Sequence, residues 1–215
     1  MITNKEILEM IKNKQIPYYY PKDFYTRFGY YGNFNIEEEM DGFKRRDVVI
    51  ENMGFILISQ DWIDTLSEIL KGKNCLEIMC GTGALTKCLK DKGVNIKATD
   101  NFSWGGVSNW NKDKNYWTKI ENIDCIDAIE KYGIDLDYII MSWAYMDDTG
   151  YRALLKMREV NPNCKMIYIG ESDGGCTADD NFFNEINIIQ NEKINEINQL
   201  YKSWEGIYDR FMLIN

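Results

Sequence analysis

The sequence contains no histidine. Imidazole is the usual general base near neutral pH, and it completes Ser–His–Asp triads and mixed Cys–His zinc sites. Its absence excludes every mechanism of these kinds. Where a base is needed, we therefore expect a carboxylate to serve.

Several motifs that would indicate secretion or metal binding are also missing. The six cysteines form no CxxC pair, so we interpret them as reduced and mostly buried thiols. No apolar run approaches the roughly 18 to 20 residues that cross a membrane, and the first residues lack the apolar segment of a signal peptide. These observations predict a cytoplasmic protein without membrane contact.

Positive charge is scarce, since 25 Lys and Arg face 34 Asp and Glu, for a net charge of -9. Nucleic-acid binding requires clustered cations, so the charge balance argues against an extended nucleic-acid surface. We expect a small-molecule substrate instead. The composition does not indicate an oligomeric state.

The chain divides into two parts by pattern. Residues 1–55 include "IPYYYPKDFYTRFGYYGNF", and we predict an aromatic-rich N-terminal extension or lid. Residues 56–215 alternate between strand and helix patterns, which predicts an α/β domain with a parallel sheet covered by helices on both faces. The tail "INQLYKSWEGIYDRFMLIN" predicts a C-terminal antiparallel hairpin. We therefore expect a mostly parallel, seven-stranded sheet, with ligands beyond the carboxyl ends of its strands.

The stretch "CLEIMCGTGALT" at 75–86 predicts a strand, a glycine turn and the start of a helix. A phosphate-binding loop is excluded, because Lys87 does not follow a glycine as GxxxxGK[ST] requires. A dinucleotide loop of the form GxGxxG fits Gly81 and Gly83 but has Thr86 as its third member. With Asp100 about 20 residues further on, as a ribose ligand requires, this second interpretation stays open.

A third interpretation rests on resemblance. "CLEIMCGTGALTKCL" followed by "NIKATD" resembles the first two motifs of the class I S-adenosylmethionine-dependent methyltransferases. The order of elements over residues 56–215 is also similar, including the final antiparallel hairpin. The resemblance implies a Rossmann-like methyltransferase fold and S-adenosyl-L-methionine as the cofactor.

The resemblance also implies a set of cofactor-binding residues. Glu77 stands at the family's acidic position, and Met79 replaces the first glycine of its GxGxG turn. By resemblance, the end of the second strand binds the ribose and the end of the third lies near the adenine. For the residues at these two strand ends, a structural role in a turn or a helix cap remains open. The residues implied are Glu77, Met79, Cys80, Gly81, Gly83, Asp100, Asn101, Asp124 and Ser142.

The ends of the fourth and fifth strands supply the catalytic candidates. By resemblance the fourth strand end faces the transferable methyl group, and there Trp143 and Tyr145 could flank a sulfonium with their ring faces. Glu171 at the fifth strand end is the candidate base or substrate anchor. These residues predict methyl transfer to an unidentified, small or planar acceptor. Binding without transfer, breakdown of the cofactor and a dehydrogenase remain the alternatives.

Overall fold

The structure, a computed structural model, describes residues 2–26, 36–103, 115–172 and 175–215, with the backbone alone for 36–39. Within these ranges the helices are α1 Asn4–Lys12, α2 Lys22–Tyr25, α3 Ile36–Asn52, α4 Gln60–Leu70, α5 Ala84–Asp91, α6 Cys125–Tyr132, α7 Thr149–Val160, α8 Asp180–Glu185 and α9 Glu192–Leu200. The strands are β1 Asn74–Ile78, β2 Asn95–Asp100, β3 Glu121–Asn122, β4 Tyr138–Ser142, β5 Lys165–Gly170 and β6 Arg210–Ile214.

The strands form one sheet in the order β3-β2-β1-β4-β5-β6. Strands β1 to β5 pair in parallel, and β6 runs antiparallel to β5, with Met166 opposite Ile214. The α/β class and the mostly parallel sheet are therefore confirmed. The expected seven strands are wrong, because the described residues form six.

The C-terminal strand β6 runs antiparallel at the sheet edge, as predicted. The segment that pairs with its outer side differs from the predicted one. Ile188 forms an isolated antiparallel bridge with Ile214, and the Ile189 N–H donates to the Leu213 carbonyl at 2.8 Å. The segment predicted as the first strand of the hairpin instead ends α9. Asn191 caps this helix by accepting from the Ile194 N–H, so capping and helical spacing override the strand pattern there.

Side chains of the sheet alternate between two hydrophobic clusters, one on each face. Ile140 and Ile167 belong to the cluster with α1, α4 and α5, whereas Ile139 and Met166 belong to the cluster with α6, α7 and α8. Helices thus cover both faces, as predicted.

The N-terminal segment joins the first of these clusters. Ile7, Ile11, Tyr20 and Phe24 are buried in it. The described part of the extension therefore packs on the core, while residues 27–35 of the tyrosine-rich stretch lie outside the described residues. The division at residue 55 and the role as a lid remain predictions. No helix in the described ranges is long and apolar enough to cross a membrane.

Candidate functional site

A cleft lies where the strand order reverses, between the carboxyl ends of β1 and β4. Ligands of doubly wound sheets bind at such a point. It is lined by Met53, Gly54, Phe55, Ile56, Ile58, Glu77, Met79, Cys80, Gly81, Thr82, Leu85, Ser142 and Trp143. Six of the residues proposed from sequence are therefore brought together here, alongside a wall from the N-terminal segment that sequence reasoning missed.

The glycine turn after β1 keeps a left-handed backbone at three positions. Met79 has φ +53°, Gly81 +57° and Gly83 +71°. Met79 thus adopts a conformation that favours glycine, at a cost of about 1–2 kcal/mol. Among the described residues, a Cβ on Gly81 would meet nothing within 4 Å, whereas one on Gly83 would lie 2.9 Å from Thr118 Cγ2. Gly81 therefore leaves the outer face of the turn open, and Gly83 serves packing.

Asp100 ties this turn to the end of β2. Its Oδ2 accepts from the Gly81 N–H at 2.8 Å and its Oδ1 accepts from the Phe102 N–H at 2.7 Å. The side chain is only 3% exposed. The carboxylate is therefore fixed beside the glycine turn, at the edge of the sheet where the strand order reverses.

The ends of β2 and β3 are linked by two further predicted residues. The Asn101 amide donates to Asp124 Oδ2 at 3.0 Å, and Asp124 Oδ1 accepts from the Ile126 N–H at 2.9 Å. Asp124 is thus the N-cap of α6, the alternative that the sequence left open. Its contact with an adenine stays a prediction.

Glu77 is buried at the base of the cleft, 2% exposed. It accepts from the Thr86 N–H at 2.9 Å and also from the Thr86 hydroxyl. Because the N-cap of α5 is Gly83, which has no side chain to accept this N–H, Glu77 takes the place of a capping residue. Burial raises the pKa of Glu77 to about 7 even though both Thr86 bonds lower it. The sequence indicated Thr86 only as a departure from the third glycine of GxGxxG, and its contact with Glu77 could not be predicted.

Trp143 forms the cleft wall at the end of β4, with φ +53°. Its indole N–H donates to Asp209 Oδ2 at 2.9 Å. Its ring stacks on Phe55, with centroids 4.8 Å apart and planes 11° apart. A left-handed backbone is a genuine outlier for a residue of this bulk, and such outliers concentrate at functional sites.

Asp209 is a second residue that sequence reasoning missed. It is 5% exposed, its Oδ2 also accepts from the Tyr201 hydroxyl at 2.5 Å, and burial raises its pKa. Its Oδ1 is buried without a hydrogen-bond partner in the described part of the chain. Asp209 is an isolated acid in the C-terminal tail that was predicted as a hairpin, so no sequence pattern indicated its contact with Trp143.

The other two catalytic candidates do not line the cleft. Tyr145 is 59% exposed. Glu171 is 8% exposed, and its two oxygens accept from the Cys176 N–H at 2.8 Å and the Tyr208 N–H at 3.0 Å. Burial acts to raise the pKa of Glu171, but these bonds and the charge of Arg46 outweigh it and lower the pKa. A weakly basic carboxylate held in this way favours the role of an anchor over that of a base.

The N-terminal wall is attached directly to the glycine turn. The Thr82 hydroxyl donates to the Met53 carbonyl at 2.6 Å, and the Trp117 indole donates to the Asn52 carbonyl at 2.6 Å. Trp117 also donates its backbone N–H to the Thr82 carbonyl at 2.9 Å. The end of α3 and the turn therefore form one connected unit.

No protein-family model and no curated protein matches this sequence. Solved structures do resemble it. The tRNA (uracil-54, C5)-methyltransferase of Pyrococcus abyssi, in complex with S-adenosyl-L-homocysteine, is 13% identical over 71% of this chain and 37% of its own, with a TM-score of 0.42. TehB from Haemophilus influenzae is 15% identical over 79% of this chain and 65% of its own, with a TM-score of 0.41.

Magnesium protoporphyrin IX methyltransferase from Synechocystis PCC 6803, with bound SAM, is 10% identical over 100% of this chain and 97% of its own, with a TM-score of 0.40. The chain thus spans about a third of the Pyrococcus protein and just under two thirds of TehB. Similarities this distant assign no function to this chain.

Proposed function

We propose that this chain binds S-adenosyl-L-methionine in the cleft between β1 and β4 and transfers its methyl group to a small acceptor. One observation carries the proposal. Asp100, at the end of β2, is hydrogen-bonded to the open glycine turn at the end of β1, beside the point where the strand order reverses. An acid and a bare backbone are thus placed together where such sheets bind their ligands.

The residues present fit the chemical groups of this cofactor. The open face at Gly81 admits a ligand against the backbone. Asp100 would accept from the ribose hydroxyls, and Glu77 lies where a carboxylate would meet the ammonium, directly or through water. Asn101 and Asp124 lie on the side proposed for the adenine.

The bound cofactor supplies an electrophilic methyl group, and the chain has to place the acceptor about 3 Å from it. Ser142 and Trp143 stand at the strand end proposed to face that methyl group. The face of an indole ring attracts a cation by roughly 0.5–2 kcal/mol, so Trp143 suits a sulfonium. Glu171 would hold the acceptor from the neighbouring strand end.

The dinucleotide alternative is weakened by the contacts of Thr86. The third glycine of GxGxxG permits close packing of helix against strand. Here Thr86 occupies that position and binds Glu77 through both its N–H and its hydroxyl. The packing is therefore built around a side chain instead of a glycine.

A second candidate, binding of the cofactor without methyl transfer, is favoured by Glu171. Its lowered pKa and two backbone hydrogen bonds make it a poor base. Incubation with the cofactor alone, followed by product analysis, also separates both candidates from an enzyme that degrades the cofactor. Degradation products formed without an acceptor would contradict the proposed transfer.

Equilibrium dialysis with radiolabelled S-adenosylmethionine tests the proposal. Asp100→Asn keeps the size of the side chain and removes its charge, and we expect it to weaken binding at least tenfold. Asp135→Asn makes the same change at an exposed position outside the cleft and serves as the matched control. Equal affinities for the two variants would contradict the assignment of Asp100.

A further inference from the structure

Trp143 has a strained backbone at the end of β4, and two hydrogen bonds hold the residue in place. Its backbone N–H donates to the Ile169 carbonyl of β5 at 2.7 Å, and its indole N–H donates to Asp209 Oδ2 at 2.9 Å. With φ +53°, Trp143 lies in the left-handed region, where a bulky side chain persists only if its surroundings fix it. The backbone is therefore fixed by β5, and the polar edge of the ring by Asp209.

Asp209 is itself fixed from the side away from the indole. Its Oδ2 also accepts from the Tyr201 hydroxyl at 2.5 Å, and its backbone carbonyl accepts from the Ser203 hydroxyl at 3.1 Å. Tyr201 is buried and packs edge-on against Phe211, with ring centroids 5.2 Å apart. The acceptor of the indole N–H is thus built into the aromatic core.

The position of Asp209 relative to the cleft limits how it can act. Trp143 lines the cleft, whereas Asp209 lies behind it and is not among the described residues of the lining. Asp209 is buried, and its Oδ1 has no hydrogen-bond partner in the described part of the chain. A buried carboxylate with an unsatisfied oxygen is an unfavourable core group, so packing alone does not account for it. Any effect of Asp209 on a ligand in the cleft has to act through Trp143.

We propose that Asp209 is a positioning residue, which fixes the Trp143 ring in the orientation that the cofactor meets in the cleft. This inference rests on the proposed binding of S-adenosylmethionine, and it adds to that site a residue that the ligand does not touch. Because the ring is oriented before the cofactor arrives, binding does not have to order that side chain.

The test compares affinities for S-adenosylmethionine, measured by equilibrium dialysis. Asp209→Leu and Asp209→Asn are matched in size. The leucine has no acceptor, whereas the amide oxygen of the asparagine can still accept from the indole N–H. Tyr201→Phe is the control for core packing, because it removes the other hydrogen bond to Asp209 Oδ2 and leaves the contact with Trp143. Urea unfolding shows whether each variant is folded.

We expect Asp209→Leu to bind roughly 2- to 12-fold more weakly than the wild type, because the cofactor then has to order a ring that has lost one hydrogen bond. Asp209→Asn and Tyr201→Phe should stay close to the wild type. In a Trp143→Phe background the leucine and asparagine variants should bind equally, since phenylalanine has no N–H to hold. A difference that persists in that background, or equal weakening by Asp209→Leu and Tyr201→Phe, would overturn the inference.

A second measurement needs no change at Asp209, so it holds even if Asp209→Leu fails to fold. The indole N–H resonance of Trp143 is assigned by its absence from the Trp143→Phe spectrum. Its exchange with solvent is then measured by NMR with S-adenosylhomocysteine present and absent. We expect slow exchange in both states. Fast exchange that only the ligand slows would overturn the inference, because the ring would not be fixed beforehand.

Failure of this inference is distinguishable from failure of the proposed function. If S-adenosylmethionine binds the wild type, Asp209→Leu and Asp209→Asn equally, the positioning role is wrong while the cofactor assignment stands. If neither S-adenosylmethionine nor S-adenosylhomocysteine binds the wild-type chain, the proposed function itself is wrong.

Discussion

Glu77→Gln offers a quantitative test of how the site is built. Glu77 is buried, and its pKa lies at about 7 instead of its ordinary 4.5. A difference of about 2.5 pH units at ~1.4 kcal/mol per unit gives about 3 kcal/mol. This is the order of magnitude of the free energy needed to keep an ionised carboxylate at this position.

The sign follows from proton binding. Between pH 4.5 and about 7 the folded chain holds a proton on Glu77 that the unfolded chain has released. The contribution of this group to stability is therefore complete below pH 4.5 and is lost as the pH rises through 7. The amide introduced by Glu77→Gln would stay neutral throughout, so the variant lacks this loss.

We expect Glu77→Gln to be more stable than the wild type at pH 8, by up to about 3 kcal/mol, and close to it at pH 4.5. Urea unfolding at both pH values measures the difference, with Glu130→Gln at an exposed position as the control. The same variant should bind S-adenosylmethionine less tightly if Glu77 meets its ammonium. A loss of stability at pH 8 would refute the reasoning, because it would show that the Thr86 bonds stabilise an ionised carboxylate.

Other predictions concern the glycine turn and the thiols. Gly83→Ala should lower the free energy of unfolding in urea by about 2–4 kcal/mol, because the added Cβ strains the backbone and collides with Thr118. Gly81→Ala should lower it by about 1–2 kcal/mol, from backbone strain alone. Equal losses for the two variants would contradict the packing role of Gly83. The free energy of unfolding of Met79→Gly should stay within about 1 kcal/mol of the wild type, because the relief of backbone strain offsets the lost packing and the greater entropy of the unfolded chain. A decrease of more than about 3 kcal/mol would show that the Met79 backbone is not strained. At pH 8, Cys176 alone should react with Ellman's reagent in the folded chain, because it is the exposed thiol and the other five are buried. Its reaction should be slow, because partial desolvation and the hydrogen bond to Glu171 raise its pKa to about 11. Rapid modification of two or more thiols would contradict this.

Strands β1, β4 and β5 could be predicted from the sequence, because each is a short, largely apolar run and a helical pattern follows it along the chain. "NIKATD" corresponds to β2, Asn95–Asp100, residue for residue. The predicted first strand of the tail was wrong because Ile194, Ile197 and Leu200 follow a helical spacing, and Asn191 caps the helix that they form. Short elements of this kind are the least certain in any pattern-based prediction.

Site residues could be predicted where their type and their position at a strand end already indicate a chemical role. Gly81 and Asp100 could be identified because a glycine turn and an acid at neighbouring strand ends meet in space. Asp209 and Phe55 could not, because their roles depend on long-range packing against Trp143. A sequence pattern does not show which face of a strand end such distant residues will cover.

The central claim is that the cleft binds S-adenosylmethionine. Titration calorimetry with S-adenosylmethionine, S-adenosylhomocysteine and NAD in parallel tests it most directly. The proposal predicts micromolar binding of the two sulfur compounds and no binding of NAD. Binding of NAD alone, or of none of the three, would contradict it.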